Sequence, residues 1–175
     1  MESWKTRWQI LYDEMIASGE FHPDGLTVTQ LMRDYLSHRA VVRTEGDRIV
    51  SYGAVQIYPS EDAHLHGPYC ELRRIWVAPR LRKTSRLCED VVEMLLTVVR
   101  MQGPNGGRPF CITKSLALGC VVGKYDFKPM TTLMMPHVGR WSKKIGLGDR
   151  LPDTALGTDM ANPLEGERWL YLKVG

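Results

Sequence analysis

The stretch that decides the fold is ELRRIWVAPRLRKTSRLCEDVVEMLLTVVR, residues 71–100. It begins as an apolar run with β-branched and aromatic side chains, which is typical of a strand. It ends as an amphipathic helix, whose apolar residues recur at helical spacing: Leu87, Val91, Met94, Leu95 and Val98. Between the strand and the helix, six Lys or Arg residues fall within positions 73–86. This order predicts an α/β layer with a positively charged turn between two of its elements.

The positive turn would suit an anion. A helix that begins near Ser85 directs unpaired backbone N–H groups and a partial positive charge toward the turn. Arg80, Arg82, Lys83 and Arg86 surround that end of the helix. Together these groups fit a pyrophosphate or a phosphomonoester. The alternative is that the four side chains are solvated surface charges.

Length and composition describe an ordinary globular protein. The 175 residues predict one domain, 1–175, with a sizeable core, and a net charge of +3 permits an anionic ligand without indicating nucleic acid. No apolar run reaches the roughly 18 residues that span a bilayer, and the charged N-terminus lacks a signal-peptide core. We therefore expect a cytoplasmic protein with no membrane partner. The four cysteines form no CxxC pair, which predicts buried free thiols.

The first third of the chain reads as two helices and a hairpin. Apolar periodicity predicts a helix over 3–18 and a second, shorter helix capped by Thr27 or Thr29. Strands over 40–44 and 49–58 flank the tight turn EGDR.

The rest of the chain alternates strands and helices. A strand over Tyr69–Val77 leads through the basic turn into the long helix, and FCITK is the next strand. Ser115 caps a helix over LALGCVVGKY, and TTLMMPHV and RWLYLKV are two closing strands. Residues 139–167 between them are too long for a hairpin turn and form a long loop or insertion.

The segment ELRRIWVAPRLRKTSRLCEDVVEMLL resembles the GCN5-related N-acetyltransferase (GNAT) superfamily. In that family a strand with a Val-x-Pro-like end leads into an Arg/Gln-x-x-Gly-x-Gly/Ala turn, whose amides hold the pyrophosphate of coenzyme A. Val77, Pro79 and Arg82 stand at the family's positions, and KYDFKPM, residues 124–130, resembles its helix-to-strand junction. The resemblance implies a mixed α+β fold, with a central, mostly antiparallel twisted sheet and helices on both faces.

The resemblance also implies a binding site for acetyl-CoA or another acyl-CoA as co-substrate. Its residues would lie on the strand, where a backbone N–H holds the oxyanion, and on the turn: Ile75, Trp76, Val77, Arg82, Lys83, Thr84, Ser85, Arg86 and Leu87. Ser85 and Leu87 stand where the family has Gly and Gly/Ala. Glycine lets phosphate approach the backbone closely, whereas serine keeps the amide and adds a hydroxyl donor. The place of Leu87 in the apolar stripe predicts that it faces the core.

Two residues are candidates for proton transfer. An amine must lose a proton as it attacks a thioester. Glu71 stands where similar enzymes often carry a general-base glutamate, and the alternative is a solvent-facing or structurally paired carboxylate. The family's thiolate-protonating Tyr aligns with Val122, so that acid is missing. Tyr125, one helical turn closer to the junction, would substitute for it or serve as an ordinary core or surface tyrosine.

Three further features carry weaker indications. His64 and His66 are two residues apart, so on a strand their imidazoles would lie on one face and could bind a metal together. No acid or cysteine at matching spacing completes a site, so no metal is predicted. Gly119 and Gly123 lie one helical turn apart and would admit either a pantetheine arm or a tightly packed sheet. Trp76 is the only ring within the basic cluster, so a nucleic-acid partner is not favoured.

The resemblance implies an acyl-CoA-dependent N-acyltransferase, in the first place an acetyltransferase, in which a small-molecule or protein amine attacks the thioester directly. The thioester would bind in the splay between the strand Tyr69–Val77 and the strand 110–114. A lesser alternative is an acyl-homoserine-lactone synthase or N-acyl amino acid synthase, whose Glu-x-x-Arg strand resembles residues 71–74. An alternative from another class is a catalytically inactive module of the same fold that binds protein or nucleic acid. In such folds the closing strands often pair between subunits, which would give a homodimer.

Overall fold

The computed structural model describes residues 3–58, 68–130 and 168–174. These residues fall into two compact units, the first formed by Met1–Val55 and Arg74–Val98 and the second by Gln56–Arg73 and Val99–Gly175. The single domain 1–175 stays a prediction. The predicted strand TTLMMPHV and the loop 139–167 lie outside the described residues.

Four α-helices and six strands are described, together with short 3-10 helices at Pro23–Gly25, Pro79–Leu81 and Gly103–Asn105. The helices are α1 (Trp4–Ala17), α2 (Val28–Leu36), α3 (Leu87–Met101) and α4 (Leu116–Gly123). The strands are β1 (Ala40–Glu45), β2 (Arg48–Tyr58), β3 (Tyr69–Val77), β4 (Arg108–Thr113), β5 (Phe127–Pro129) and β6 (Trp169–Lys173). All but β5 were expected from the sequence pattern. β5 has only three residues, which is too short for an alternating pattern to show.

The strands form one six-stranded sheet in the order β1-β2-β3-β4-β6-β5. β1 pairs antiparallel with β2, and β6 pairs antiparallel with both β4 and β5. β3 and β4 are parallel. The predicted fold class is therefore confirmed: the protein has a mixed α+β fold with a mostly antiparallel sheet flanked by helices.

Side-chain caps fix the starts of three helices. The hydroxyl of Ser3 accepts from the N–H of Thr6 at the start of α1, and that of Ser115 accepts from Leu118 at the start of α4. α2 begins with a capping box, in which Thr27 and Gln30 each accept from the other's backbone N–H at 3.1 and 2.9 Å. These caps satisfy N–H groups that have no partner inside the helix. Of the two cap candidates for α2, Thr27 is correct.

The first unit has helices on both faces of β2. The ring of Trp8 on α1 lies 6.3 Å from that of Tyr52, edge to face. The next residue, Gly53, faces α3, because a Cβ built there would lie 2.6 Å from Cγ1 of Val91. Successive residues of a strand point to opposite faces, so α1 and α3 cover opposite sides of this strand.

The buried stripe of α3 differs from the predicted one. Val91 and Leu95 are buried as expected, but Leu87, Met94 and Val98 are only half-buried. The other buried residues of the helix are Val92, Leu96 and Val99. Val91 and Leu95 face Gly53, and this contact fixes how α3 is rotated about its axis. In that rotation Val92, Leu96 and Val99 are buried and Met94 is not.

The second unit is built around β4 and β6. Buried side chains of these strands, of β5 and of the segment after β5 include Phe110, Cys111, Phe127, Met130, Trp169, Leu170, Tyr171 and Leu172, and β3, α3 and α4 add Tyr69, Cys70, Leu72, Val99 and Val122. Within the described ranges of the chain, no helix is long and apolar enough to cross a membrane.

Candidate functional site

The basic turn, residues 78–86, joins β3 to α3 in the first unit. Pro79–Leu81 form one turn of 3-10 helix, and α3 begins at Leu87, two residues later than the start predicted near Ser85. The reason is the hydroxyl of Ser85, which donates to the carbonyl of Leu81 at 2.5 Å and accepts from the N–H of Leu87 at 3.4 Å. Ser85 therefore caps the helix instead of joining it, and it occupies one amide that the resemblance assigns to the pyrophosphate.

Four of the six basic residues of 73–86 form ion pairs within the first unit. Three of the partners come from segments far away in the sequence: Arg74 pairs with Asp34 at 3.0 Å, Arg80 with Glu45 at 3.4 Å and Arg82 with Glu20. The fourth pair, Arg86 with Glu89, is local and measures 2.9 Å. The hydrogen bond and the charge of Glu89 raise the pKa of Arg86 above its usual value. The turn is therefore less positive than its residue count indicates.

Lys83 is the cation of the turn that remains unpaired among the described residues. Its side chain is exposed, as are those of Thr84, Ser85 and Arg86. Arg82 is also exposed, but it donates from Nε to the carbonyl of Val77 at 2.8 Å as well as pairing with Glu20. Among the cations of the turn, Lys83 is therefore the one left to pair with an anion at the start of α3.

The predicted strand residues of the coenzyme site are largely internal. Trp76 and Val77 are buried, and Ile75 is half-buried. Trp76 belongs to the core cluster of the first unit, and Leu87 packs against that cluster, as its place in the apolar stripe predicts. A role of Ile75, Trp76 and Val77 in binding a coenzyme stays a prediction.

β3 is irregular at Arg74, which has a φ of 54°. A residue other than glycine rarely adopts this left-handed conformation, and such strain concentrates at functional positions. The parallel ladder between β3 and β4 runs from Tyr69↔Arg108 to Leu72↔Cys111 and ends two residues before Arg74. β3 continues beyond the ladder to Val77.

Glu71 lies on β3 in the second unit and is only 1% exposed. The hydroxyl of Tyr58, the last residue of β2, donates to Oε2 of Glu71 at 2.8 Å. Of the two alternatives to a catalytic role, the solvent-facing carboxylate is wrong, and the paired carboxylate describes the observed contact. Tyr58 was not expected at this position, because no spacing connects residue 58 with residue 71 before the strands are aligned.

Tyr125 lies just beyond the end of α4 and is half-buried. Its N–H donates to the carbonyl of Val122 at 2.9 Å, and its own carbonyl accepts from Nζ of Lys173 at 2.8 Å. Val122, which aligns with the tyrosine of the family motif, is fully buried. The backbone of Tyr125 thus has a structural role, and a role for its hydroxyl stays a prediction.

The two glycines of α4 have different surroundings. A Cβ at Gly119 would lie 2.5 Å from the hydroxyl oxygen of Tyr171 on β6, whereas a Cβ at Gly123 would meet nothing within 4 Å. Gly119 therefore allows tight packing of helix on sheet, which was one of its two predicted roles. Gly123 faces open space.

The cysteines are free thiols, but not all of them are buried. Cys70 and Cys111 are buried and Cys88 is half-buried, whereas Cys120 is exposed. The prediction of a buried thiol is wrong for Cys120, because the adjacent Gly119 is the residue of α4 that faces β6. Burial raises the pKa of the Cys88 thiol, although the charge of Arg82 acts in the opposite direction. Cys88 is therefore a protonated thiol at neutral pH and a poor nucleophile.

A shallow groove of about 360 Å³ lies beside the basic turn in the first unit. It is lined by the end of α1 and the start of the turn: Glu14, Ala17, Ser18, Ala78, Pro79 and Arg80. Its two charged residues are already paired, Glu14 with Arg48 and Arg80 with Glu45. His64 and His66, the pair considered as metal ligands, lie outside the described residues. Within the described residues no group of three His, Cys, Asp or Glu side chains is placed to hold a metal.

Among solved structures, the chain is similar to an acetyltransferase of the GNAT family from Streptococcus agalactiae. The identity is 14%, the match covers 98% of this chain and 86% of the other, and the TM-score is 0.46. No protein-family profile and no curated protein matches the chain.

Proposed function

We propose that the protein is an acyl-CoA-dependent N-acyltransferase. The observation that carries the proposal is the course of β3, which leaves its ladder with β4 after Leu72, turns through the left-handed residue Arg74 and continues to Val77. β3 is also hydrogen-bonded to β2, so only the backbone N–H and C=O groups on its other edge, past the end of the ladder with β4, need other partners. An extended molecule with amide groups, such as the pantetheine arm of coenzyme A, can pair with strand backbone in this way.

The basic turn supports the same proposal. The start of α3 offers backbone N–H groups and the positive end of a helix dipole, which suit a pyrophosphate. Lys83 adds a charge that no described residue neutralises. The hydroxyl of Ser85 already lies at this end of the helix and can donate to a phosphate oxygen after rotating away from Leu81.

Glu71 is the candidate general base. In the proposed reaction an uncharged amine attacks the thioester carbonyl, the C–N bond forms and the C–S bond breaks. The amine proton passes to the carboxylate of Glu71, and coenzyme A leaves as a thiolate that takes a proton from Tyr125 or from solvent. Tyr58 holds the carboxylate in one orientation through its hydrogen bond to Oε2.

Binding of acyl-CoA tests the proposal directly. A thermal-shift titration with acetyl-CoA should raise the melting temperature, because a ligand that binds the folded state stabilises it. Lys83→Ala should raise the Kd about 3- to 10-fold, since one charge-assisted contact to phosphate is lost. Arg86→Ala is the matched control: it removes an exposed cation of the same turn that is already paired with Glu89, so its Kd should stay within about twofold of wild type. No shift at millimolar acetyl-CoA or longer acyl-CoA would overturn the proposal.

The second candidate is a catalytically inactive module of the same fold. It is favoured by the ion pairs of Arg80, Arg82 and Arg86, which neutralise much of the turn, and by Ser85, which covers the N–H of Leu87. Such a module should show no thermal shift with acyl-CoA. If its partner is nucleic acid, binding to duplex DNA should weaken steeply with salt, and a flat salt response excludes that partner.

A further inference from the structure

Arg73 has an unusual environment for an arginine. The residue is half-buried on β3, immediately after the last residue that pairs with β4. Its Nε is buried and has no hydrogen-bond partner, and the side chain forms no ion pair with any residue that the structure describes. The adjacent Arg74, in contrast, is paired with Asp34. A buried donor without an acceptor is unfavourable, so an unpaired guanidinium at this position points to an anion that the fold itself does not supply.

Arg73 and Glu71 lie on the same face of β3. They are two residues apart on the strand, and the left-handed residue Arg74 comes after both. Their positions are about 6.6 Å apart along the strand, given a rise of about 3.3 Å per residue. The carboxylate accepts from Tyr58, and the guanidinium does not pair with it. One face of the strand therefore presents a carboxylate and, next to it, a free guanidinium.

We propose that Arg73 binds the carboxylate of the acceptor, which makes the acceptor an amine that also carries a carboxylate, as an amino acid does. This inference rests on the proposed function, because Glu71 acts there as the base for the same amine. A guanidinium binds a carboxylate through two parallel N–H···O bonds, which fixes the acceptor's orientation. The amine then lies toward Glu71, where it attacks the thioester and gives up its proton as described above.

If Arg73 binds the acceptor, a negative charge on the acceptor should distinguish good acceptors from poor ones. Amino acids should be good acceptors, whereas their amides, simple alkylamines and polyamines should be poor ones, because these lack the anion that pairs with Arg73. A substrate that replaces the carboxylate by a carboxamide keeps its shape but loses the charge-assisted pair.

The test measures binding of the acceptor alone, without acyl-CoA. Each of the twenty amino acids and its amide is titrated into the full-length protein, and binding is followed by calorimetry and by saturation-transfer NMR. At least one amino acid should bind, with a Kd at least about tenfold lower than that of its amide. Arg73→Gln should remove this difference, and Arg73→Lys, which keeps the charge without the planar fork, should leave part of it. The control Arg108→Gln removes an exposed arginine on β4 and should leave the preference for the amino acid over its amide intact.

Several outcomes overturn the inference. It is wrong if no amino acid binds, if acid and amide bind equally, or if Arg73→Gln preserves the preference for the acid. It is also wrong if Arg73→Gln weakens acetyl-CoA binding as much as it weakens amino-acid binding, because the guanidinium would then serve a phosphate. If Arg73 had a purely structural role, Arg73→Gln would lower the melting temperature of the protein. Removal of an unpaired donor should not lower the melting temperature.

These assays can overturn either the acyltransferase proposal or the carboxylate site at Arg73 without overturning the other. Amino-acid binding that depends on Arg73, together with no response to acyl-CoA, would keep the carboxylate site and remove the acyltransferase. Binding of acyl-CoA without any preference for acids over amides would keep the acyltransferase and remove the carboxylate site.

Discussion

The hydrogen bond from Tyr58 to Glu71 is one of the contacts that support a buried carboxylate. The Tyr58 hydroxyl lies 2.8 Å from Oε2 of a side chain that is 1% exposed, so its removal leaves a buried acceptor with one partner fewer. We expect Tyr58→Phe to lower the free energy of unfolding by about 1–3 kcal/mol, measured by urea denaturation. The ring of Tyr58, which lies 5.9 Å from that of Phe110, is retained in this variant.

A matched control for that prediction is Tyr12→Phe. Tyr12 is also half-buried, on α1, but its hydroxyl makes no hydrogen bond to the described residues. Its loss should change the free energy of unfolding by less than about 0.5 kcal/mol. Equal effects of the two substitutions would show that the Tyr58 hydroxyl contributes nothing specific to the position of Glu71.

The sequence predicted residues of the candidate site more readily than their partners. The strand that carries Glu71 and the turn that carries Lys83 follow from local patterns, whereas the selection of Glu71 itself came from the resemblance and stays a prediction. The partners of the turn arginines do not, because Arg82 and Glu20 are 62 residues apart and Arg80 and Glu45 are 35 apart. No periodicity relates such pairs. The turn was therefore predicted to be more positive than it is.

At the scale of elements, Gly53 sets the approach of α3 to β2. A Cβ there would lie 2.6 Å from Cγ1 of Val91 and 2.8 Å from Cδ1 of Leu95. Val91 is β-branched and cannot turn away easily. We expect Gly53→Ala to lower the free energy of unfolding by about 1–3 kcal/mol through overpacking, measured by urea denaturation.

Two further variants identify the cause of that loss. Gly123→Ala places the same methyl group at the end of α4, where nothing lies within 4 Å, and should be neutral or stabilising by up to about 1 kcal/mol. Adding Val91→Ala to Gly53→Ala should cost less than the sum of the two single effects, because the second change makes room for the first. Strict additivity would mean that the methyl group at residue 53 does not contact α3.

The elements themselves were largely predictable, because their signals are local. The bounds Tyr69–Val77 of β3 agree with the apolar run, and the caps Thr27 and Ser115 follow from residue type and position. The structure departs from the sequence pattern where a tertiary contact decides. The contact with Gly53 changes which residues of α3 are buried. The hydroxyl of Ser85 moves the first residue of that helix from about 85 to Leu87.

At the scale of the whole molecule, each unit contains one group, Cys88 or Tyr69, whose burial in part or in full should make the fold sensitive to alkali. Burial raises the pKa of the Cys88 thiol in the first unit and of the Tyr69 phenol in the second, although nearby Arg82 and Arg108 act in the opposite direction. Both groups are neutral when protonated, so the folded protein holds these protons more tightly than the unfolded chain does.

Stability should therefore decline as the pH rises above the unfolded-state values of 9.0 for Cys88 and 10.0 for Tyr69. Below pH 9 neither group contributes a slope, because both states keep the proton; above it the unfolded chain ionises first, which favours unfolding. Urea denaturation between pH 7 and 11 measures the effect. Cys88→Ala should flatten the part of the curve between pH 9 and 10, whereas loss of the exposed thiol in Cys120→Ala should leave it unchanged. An unfolding free energy that stays constant to pH 11 would contradict the burial of both groups.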